Sequence, residues 1–211
     1  MMNYPHRKTT RTERVKQLNH NKKEIDFGRR GMSFEAQLAK VNAYYLASDK
    51  AVIHKKPTPV QIVKVDYPSR SAATITEGYF KTPSTTDFNG VYQGVYIDFE
   101  AKETTNKTTF PLANVHAHQM KHLFAVAKQG GFAFLLVKFS VLDEVYLLTS
   151  DTLASFWQQY EQRVRKSIKR EEFVKQGYLI PSHTYPSVDY LKVVDQLLKR
   201  EKAKAFKEDD C

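Results

Sequence analysis

Two acidic clusters hold the residues best suited to chemistry. Asp87 closes the run Thr85-Thr86-Asp87, and eleven residues later comes Asp98-Phe99-Glu100-Ala101-Lys102. Tyr92 to Ile97 alternate in the manner of a strand, and a strand puts residues i, i+2 and i+4 on one face. Asp98, Glu100 and Lys102 then share a face, while Ile97, Phe99 and Ala101 point into the core. Like charges at i and i+2 repel, and a hard divalent cation such as Mg²⁺, or Mn²⁺ in its place, relieves them by taking carboxylate oxygens while keeping waters for chemistry. Phe88-Asn89-Gly90 reads as a turn able to fold Asp87 back towards Glu100, giving one ion two carboxylates. The competing explanation is a solvated edge strand whose charges deter aggregation.

Spacing ranks the members of the cluster. Lys102 stands one strand repeat, ~6.6 Å, beyond Glu100, within reach of negative charge that develops on a substrate. Asp98 lies the same distance on the other side and ~13 Å from Lys102 along an ideal strand, so it ranks below Asp87 and Glu100 as a ligand.

The elements that must position these residues can be read around them. The first 28 residues are polar and basic, with Arg7, Lys8 and Arg11, and form a flexible arm that cannot bury enough surface to offset its ordering entropy. Ser33 caps a helix that recurs apolar at Phe34, Leu38, Val41 and Tyr45, with Glu35 in its first turn, where the helix dipole favours an acid. Residues 51–54 read as a short strand. Val60–Val65 and Ala72–Thr76 read as a hairpin turning at Tyr67-Pro68-Ser69-Arg70, bracketed by Pro57, Pro59 and Pro83 as suits a ribbon leaving a sheet. Asn114–Lys128 reads as a helix with Val115, Met120, Leu123, Phe124 and Ala127 inward. His118 and His122 on it are spaced to hold zinc, but no third-ligand pattern accompanies them. Strands follow at 132–137 and 144–148, and helices at 151–160, 167–175 and 188–199. Trp157 reads as a core or dimer-contact residue.

Bulk properties bound the function. The 211 residues suffice for one domain with a full core. Divided by composition, they give an arm at 1–28, a domain at 29–204 with the hairpin of about 57–81 inserted in it, and a tail at 205–211. The net charge of +10 points to a polyanion, most simply nucleic acid or an anionic membrane. No apolar run has transmembrane length and the N-terminus lacks the apolar stretch of a signal peptide, so a cytoplasmic protein with no membrane partner is expected. The sole cysteine, Cys211, allows neither an intrachain disulfide nor a cysteine-based zinc site.

Asp87 followed by Glu100-x-Lys102 resembles the core of the PD-(D/E)xK nuclease superfamily, with Thr86 where proline is frequent. The resemblance narrows on Asn-Tyr-Pro at 3–5, Arg-Gly-Met-Ser-Phe-Glu at 30–35, Ala-Val-Ile-His-Lys-Lys-Pro-Thr-Pro-Val-Gln-Ile-Val at 51–63, Ser-Thr-Thr-Asp-Phe-Asn-Gly at 84–90 and Tyr-Ile-Asp-Phe-Glu-Ala-Lys-Glu-Thr at 96–104. From about Gly28 to Leu198 the chain is similar to the RecU family of Holliday junction resolvases. The resemblance implies an α/β fold, a mixed central sheet flanked by helices in the manner of restriction endonucleases, with a protruding β-hairpin stalk and the basic arm. It also implies a homodimer, a recombinase partner of the RecA type, and Mg²⁺-dependent paired cuts in strands of like polarity at a four-way DNA junction. Asp87 and Glu100 are then metal ligands, with Thr85, Gln119 and, less centrally, Asp98 and Glu35 around them, and Lys102 works on the phosphate. Lys56, Arg70, Lys81, Arg7, Lys8, Arg11 and Arg30 are the candidates for DNA contact. Two alternatives stand beside this reading: a non-catalytic junction-binding or recombinase-modulating protein, and a less selective nuclease with the same core.

Overall fold

Phe132–Phe139 is apolar at nearly every position, and a strand can bury such a run only when both of its faces are covered. The computed structural model, which describes residues 32–80, 85–181 and 186–209, makes it an inner strand of a six-stranded mixed sheet. In chain order the elements are α1 (Phe34–Ala47), β1 (Val52–Lys55), β2 (Val60–Asp66), β3 (Thr74–Phe80), β4 (Phe88–Tyr92), β5 (Val95–Thr104), β6 (Thr109–Pro111), α2 (Ala117–Lys128), β7 (Phe132–Phe139), β8 (Glu144–Thr149), α3 (Ser150–Glu161), β9 (Ser167–Lys169), α4 (Arg170–Gln176), β10 (Tyr178–Ile180) and α5 (Tyr190–Asp209). The sheet order is β1-β4-β5-β7-β8-β10, with β5 and β7 parallel and every other pair antiparallel. The parallel pair is joined through α2, the crossover such a pair requires.

Helices cover both faces. Phe34, Leu38, Val41 and Tyr45 of α1, with Tyr190, Leu191 and Val194 of α5, pack against Ile97, Phe99, Phe134 and Leu136. On the other face Met120 and Leu123 of α2, with Leu153, Phe156 and Trp157 of α3, pack against Leu135, Val137 and Leu148. Trp157 is thereby a core residue, its Nε1 donating to Glu161 Oε1 at 3.0 Å. Phe99 stacks on Phe88 at 5.0 Å and on Phe134 at 4.8 Å, so the strand that carries the acidic cluster is gripped from both sides.

The structure revises several expectations. Asn89-Gly90 is no turn: both residues lie within β4, and the chain reverses at Gln93-Gly94, whose φ angles of 50° and 80° are left-handed. Gly90 is needed for another reason, because a Cβ there would meet the Val52 carbonyl oxygen at 2.0 Å where β1 crosses. The turn also interrupts the alternation expected from Tyr92 to Ile97, so β5 begins only at Val95. The edge-strand explanation of the acidic cluster fails, because β5 is internal and both Asp98 and Glu100 are 0% exposed. Residues 167–175 split into β9, paired with β6, and the short helix α4.

β2 and β3 form an antiparallel ribbon outside the main sheet, joined by a 3₁₀ turn at Arg70–Ala72. Nearly all of its residues are exposed, including Tyr67, Tyr79 and Phe80. The basic arm with Arg7, Lys8 and Arg11, together with Arg30, Lys81 and the Arg70 side chain, lies outside the described residues. Among the described residues no helix is long and apolar enough to cross a membrane.

Candidate active site

Register brings Asp87 to Glu100. Phe88 pairs with Phe99 and Asn89 with Asp98 across the β4–β5 ladder, so one further step places Asp87 opposite Glu100. β4 has ended by then, and Asp87 Oδ2 accepts the Ala101 N–H at 2.9 Å, taking a hydrogen bond the ladder no longer supplies. Glu100 is held by one oxygen only. Its Oε1 accepts from Lys102 Nζ at 2.6 Å and from Gln119 Nε2 at 2.7 Å. Its Oε2 is buried and receives no hydrogen bond, one of two such atoms among the described residues.

Gln119 comes from the first turn of α2, where its Oε1 accepts the His116 N–H at 3.0 Å and closes a capping box. That bond turns the amide nitrogen towards Glu100. Burial raises the pKa of Asp87, and the charge of Glu35 adds to the rise while the Ala101 N–H opposes it. Burial, together with the neighbouring Asp87, pushes Glu100 up to about 7 despite Lys102. Two carboxylates with one unsatisfied oxygen between them form a hard, anionic donor set of the kind that divalent cations satisfy, since such ions need only one or two carboxylates and fill their shell with water and substrate oxygens. Among the described residues no group of three His, Cys, Asp or Glu side chains could hold a metal ion, so a cation held by the two carboxylates would complete its shell with water, exchanged for substrate oxygens when DNA is bound.

Asp98 faces the same helix yet belongs to a different cluster. Its carboxylate accepts from Lys56 Nζ at 2.8 Å, Tyr96 OH at 3.0 Å, His122 Nε2 at 3.0 Å and the Thr86 hydroxyl. Burial alone would raise its pKa; the hydrogen bonds from Lys56, Thr86 and His122 outweigh this and hold it below the ordinary value. Asp98 is thus an ionised acid with its own cation.

Set beside known proteins, residues 29–196 match the family RecU, Recombination protein U. The chain belongs to the RecU family. The protein named Holliday junction resolvase RecU in Staphylococcus carnosus (strain TM300) is 53% identical to this RecU-family chain over 203 residues, covering 95% of the chain and 98% of that relative. The protein of the same name in Staphylococcus aureus (strain MRSA252) is 53% identical over 205 residues, with the same coverage.

In this RecU-family chain the structure gathers Asp87, Glu100, Lys102 and Gln119 at one place. Thr85 is exposed and accepts from Lys56 Nζ at 3.0 Å. Glu35 is joined to Lys55 at 2.6 Å, close enough to Asp87 to influence its charge. Lys56, expected on a phosphate, points inward instead, its side chain 14% exposed. Sequence reasoning missed the part played by His122, although a signal was present. Gln119 and His122 are i and i+3 on α2 and meet Glu100 and Asp98, i+2 and i on β5, so helix and strand spacings match.

Proposed function

We propose that the chain is a Mg²⁺-dependent endonuclease, also served by Mn²⁺, that resolves four-way DNA junctions by paired cuts in strands of like polarity. The observation that carries this is the unsatisfied Glu100 Oε2 beside the Asp87 carboxylate, with Lys102 on the adjoining oxygen. Asp87 and Glu100 hold the ion. Bound there, the ion supplies charge relief at the phosphorus and a more acidic water. The chain's own residues do the rest. The Ala101 N–H fixes Asp87 by one oxygen, and Gln119 and Lys102 fix Glu100 by one oxygen, so neither carboxylate needs to reorganise as charge develops. Lys102, one-fifth exposed, can keep Glu100 and offer a second N–H of its ammonium to a phosphoryl oxygen as negative charge builds there.

The junction is the substrate class that the names of the relatives give, and the basic charge of the chain suits it. A two-fold homodimer would present two such sites to two strands of like polarity. The exposed β2–β3 ribbon supports the stalk reading, a projection towards the junction centre flanked by Arg70 and Lys81. The arm residues Arg7, Lys8 and Arg11, together with Arg30, would add phosphate contacts, making affinity fall steeply with salt. A RecA-type recombinase is the expected protein partner, and the cytoplasm, where chromosomal DNA is handled, is the expected place.

Cleavage of a four-way junction in competition with linear duplex tests the proposal. Preferential, Mg²⁺-dependent cutting of the junction supports it, and equal cutting of both removes the junction claim.

A further inference from the structure

The inward orientation of Lys56 asks for a role other than DNA contact. Its Nζ donates to Asp98 Oδ2 at 2.8 Å, to Thr85 Oγ1 at 3.0 Å and to Thr86 Oγ1 at 2.5 Å, with His122 Nε2 at 3.3 Å. An ammonium has three hydrogens to give, and these partners use them. The backbone N–H of the same residue donates to the Asp87 carbonyl at 2.8 Å. Residues 85–87 precede β4 and have no regular secondary structure, so no ladder fixes them; Lys56 grips this segment on both sides. Asp98, fully buried in the next strand, anchors the grip. Its charge needs a buried cation as well as the neutral donors around it.

We propose that Lys56 is a positioning residue for Asp87, acting through its ion pair with Asp98 and through the Thr85 and Thr86 hydroxyls. The inference rests on the reading of Asp87 and Glu100 as cation ligands. It also links that site to the ribbon. Lys56-Pro57-Thr58-Pro59 runs straight into β2, and each proline fixes its own φ and restricts the residue before it. The root of the ribbon is therefore stiff where it meets the Asp87 segment.

The test uses the full chain, wild type and with Lys56→Met, Asp98→Asn, both together, and Lys56→Arg. Mn²⁺ binding is measured without DNA by calorimetry, and single-turnover cleavage with saturating protein on a four-way junction. Asp98→Asn is isosteric and keeps an acceptor for Thr86, so it reports on the link even where Lys56→Met lowers the melting temperature. The expected result is weaker Mn²⁺ binding and cleavage slowed on the order of 10- to 100-fold in each single variant, the cost of a displaced carboxylate. The double variant loses no more than either single one, because both break the same link. Lys56→Arg recovers part of the loss, and junction affinity in Ca²⁺ is unchanged. Losses that add in the double variant overturn the proposal. So does a Lys56→Met protein that binds Mn²⁺ and cleaves bound junction normally while its affinity drops and its salt slope falls by about 1, the mark of a phosphate contact. Wild type that binds no Mn²⁺ fails at an earlier point, removing the metal reading and this inference with it.

Discussion

Asp87 stands opposite Glu100 across the β4–β5 ladder, each carboxylate anchored by one oxygen, Asp87 on the Ala101 N–H and Glu100 on Gln119 and Lys102. The pair is held in place by its surroundings yet leaves the buried Glu100 Oε2 without a donor. Left metal-free and ionised, that arrangement is costly, because a buried carboxylate oxygen with no donor loses its hydration for nothing in return.

Glu100→Gln removes a ligand of the proposed cation while conserving shape. Cleavage should fall on the order of 10²- to 10³-fold or more, whereas junction binding should stay within a few-fold, since the proposed phosphate contacts are made by other residues. Gel cleavage and equilibrium binding on the same four-way junction check this.

The same residue predicts a pH effect. In the metal-free folded state Glu100 titrates at about 7, against an ordinary value of 4.5. Between those values the folded protein holds a proton that the unfolded chain has released, so stability falls as pH rises and the loss is complete above the folded value. Glu100→Gln has no such proton to lose. Metal-free, it should be more stable than wild type by about 1 to 3 kcal/mol near pH 8, and the gap should close towards pH 4. Denaturant unfolding at the two pH values measures it. Cation binding displaces the same proton, so Mg²⁺ affinity in wild type should climb as pH passes through about 7 and then level off.

Lys102→Met should slow cleavage of bound junction on the order of 10²-fold or more, with little change in junction affinity, because in the proposed mechanism the ammonium acts on charge that appears only as the phosphate reacts. Single-turnover rates at saturating enzyme separate the two quantities.

Much of this site was legible in the chain because a strand has period two. Ile97, Phe99 and Ala101 face one core and Asp98, Glu100 and Lys102 face the other way, as alternation requires. What alternation could not show was that α2 covers the acidic face and that β5 is an inner strand. Register between β4 and β5 was hidden too, because Asn89-Gly90 imitates a hairpin turn while Gly90 serves the close passage of β1. Lys56 and Asp98 are 42 residues apart, and no local pattern announces a pair that only the β1–β4–β5 arrangement brings together. The hairpin at 60–80 was readable from its prolines and β-branched residues, and it stands apart from the main sheet.

Gly90→Val tests the fold around the site. Its side chain would meet the Val52 carbonyl and Ile53 Cα, which are backbone atoms that cannot swing aside. β1 must shift, at a cost of about 1 to 3 kcal/mol, and Lys56, which follows β1 directly, shifts with it. A lower melting temperature together with weaker Mn²⁺ binding is the expected pair of results.

Replacing residues 57–81 by a short linker removes the ribbon. Preference for a four-way junction over linear duplex should drop, while the Asp87–Glu100 pair still binds Mn²⁺. Competition cleavage and calorimetry read the two effects separately, and an unchanged preference would make the ribbon a bystander.

The most direct measurement is cleavage of a mobile four-way junction by wild type and Asp87→Asn, each with and without Mg²⁺. Paired cuts by wild type in Mg²⁺ alone, and none by Asp87→Asn although it still binds the junction, are the predicted result. Cleavage by Asp87→Asn at the wild-type rate, or by wild type without any divalent ion, would contradict it.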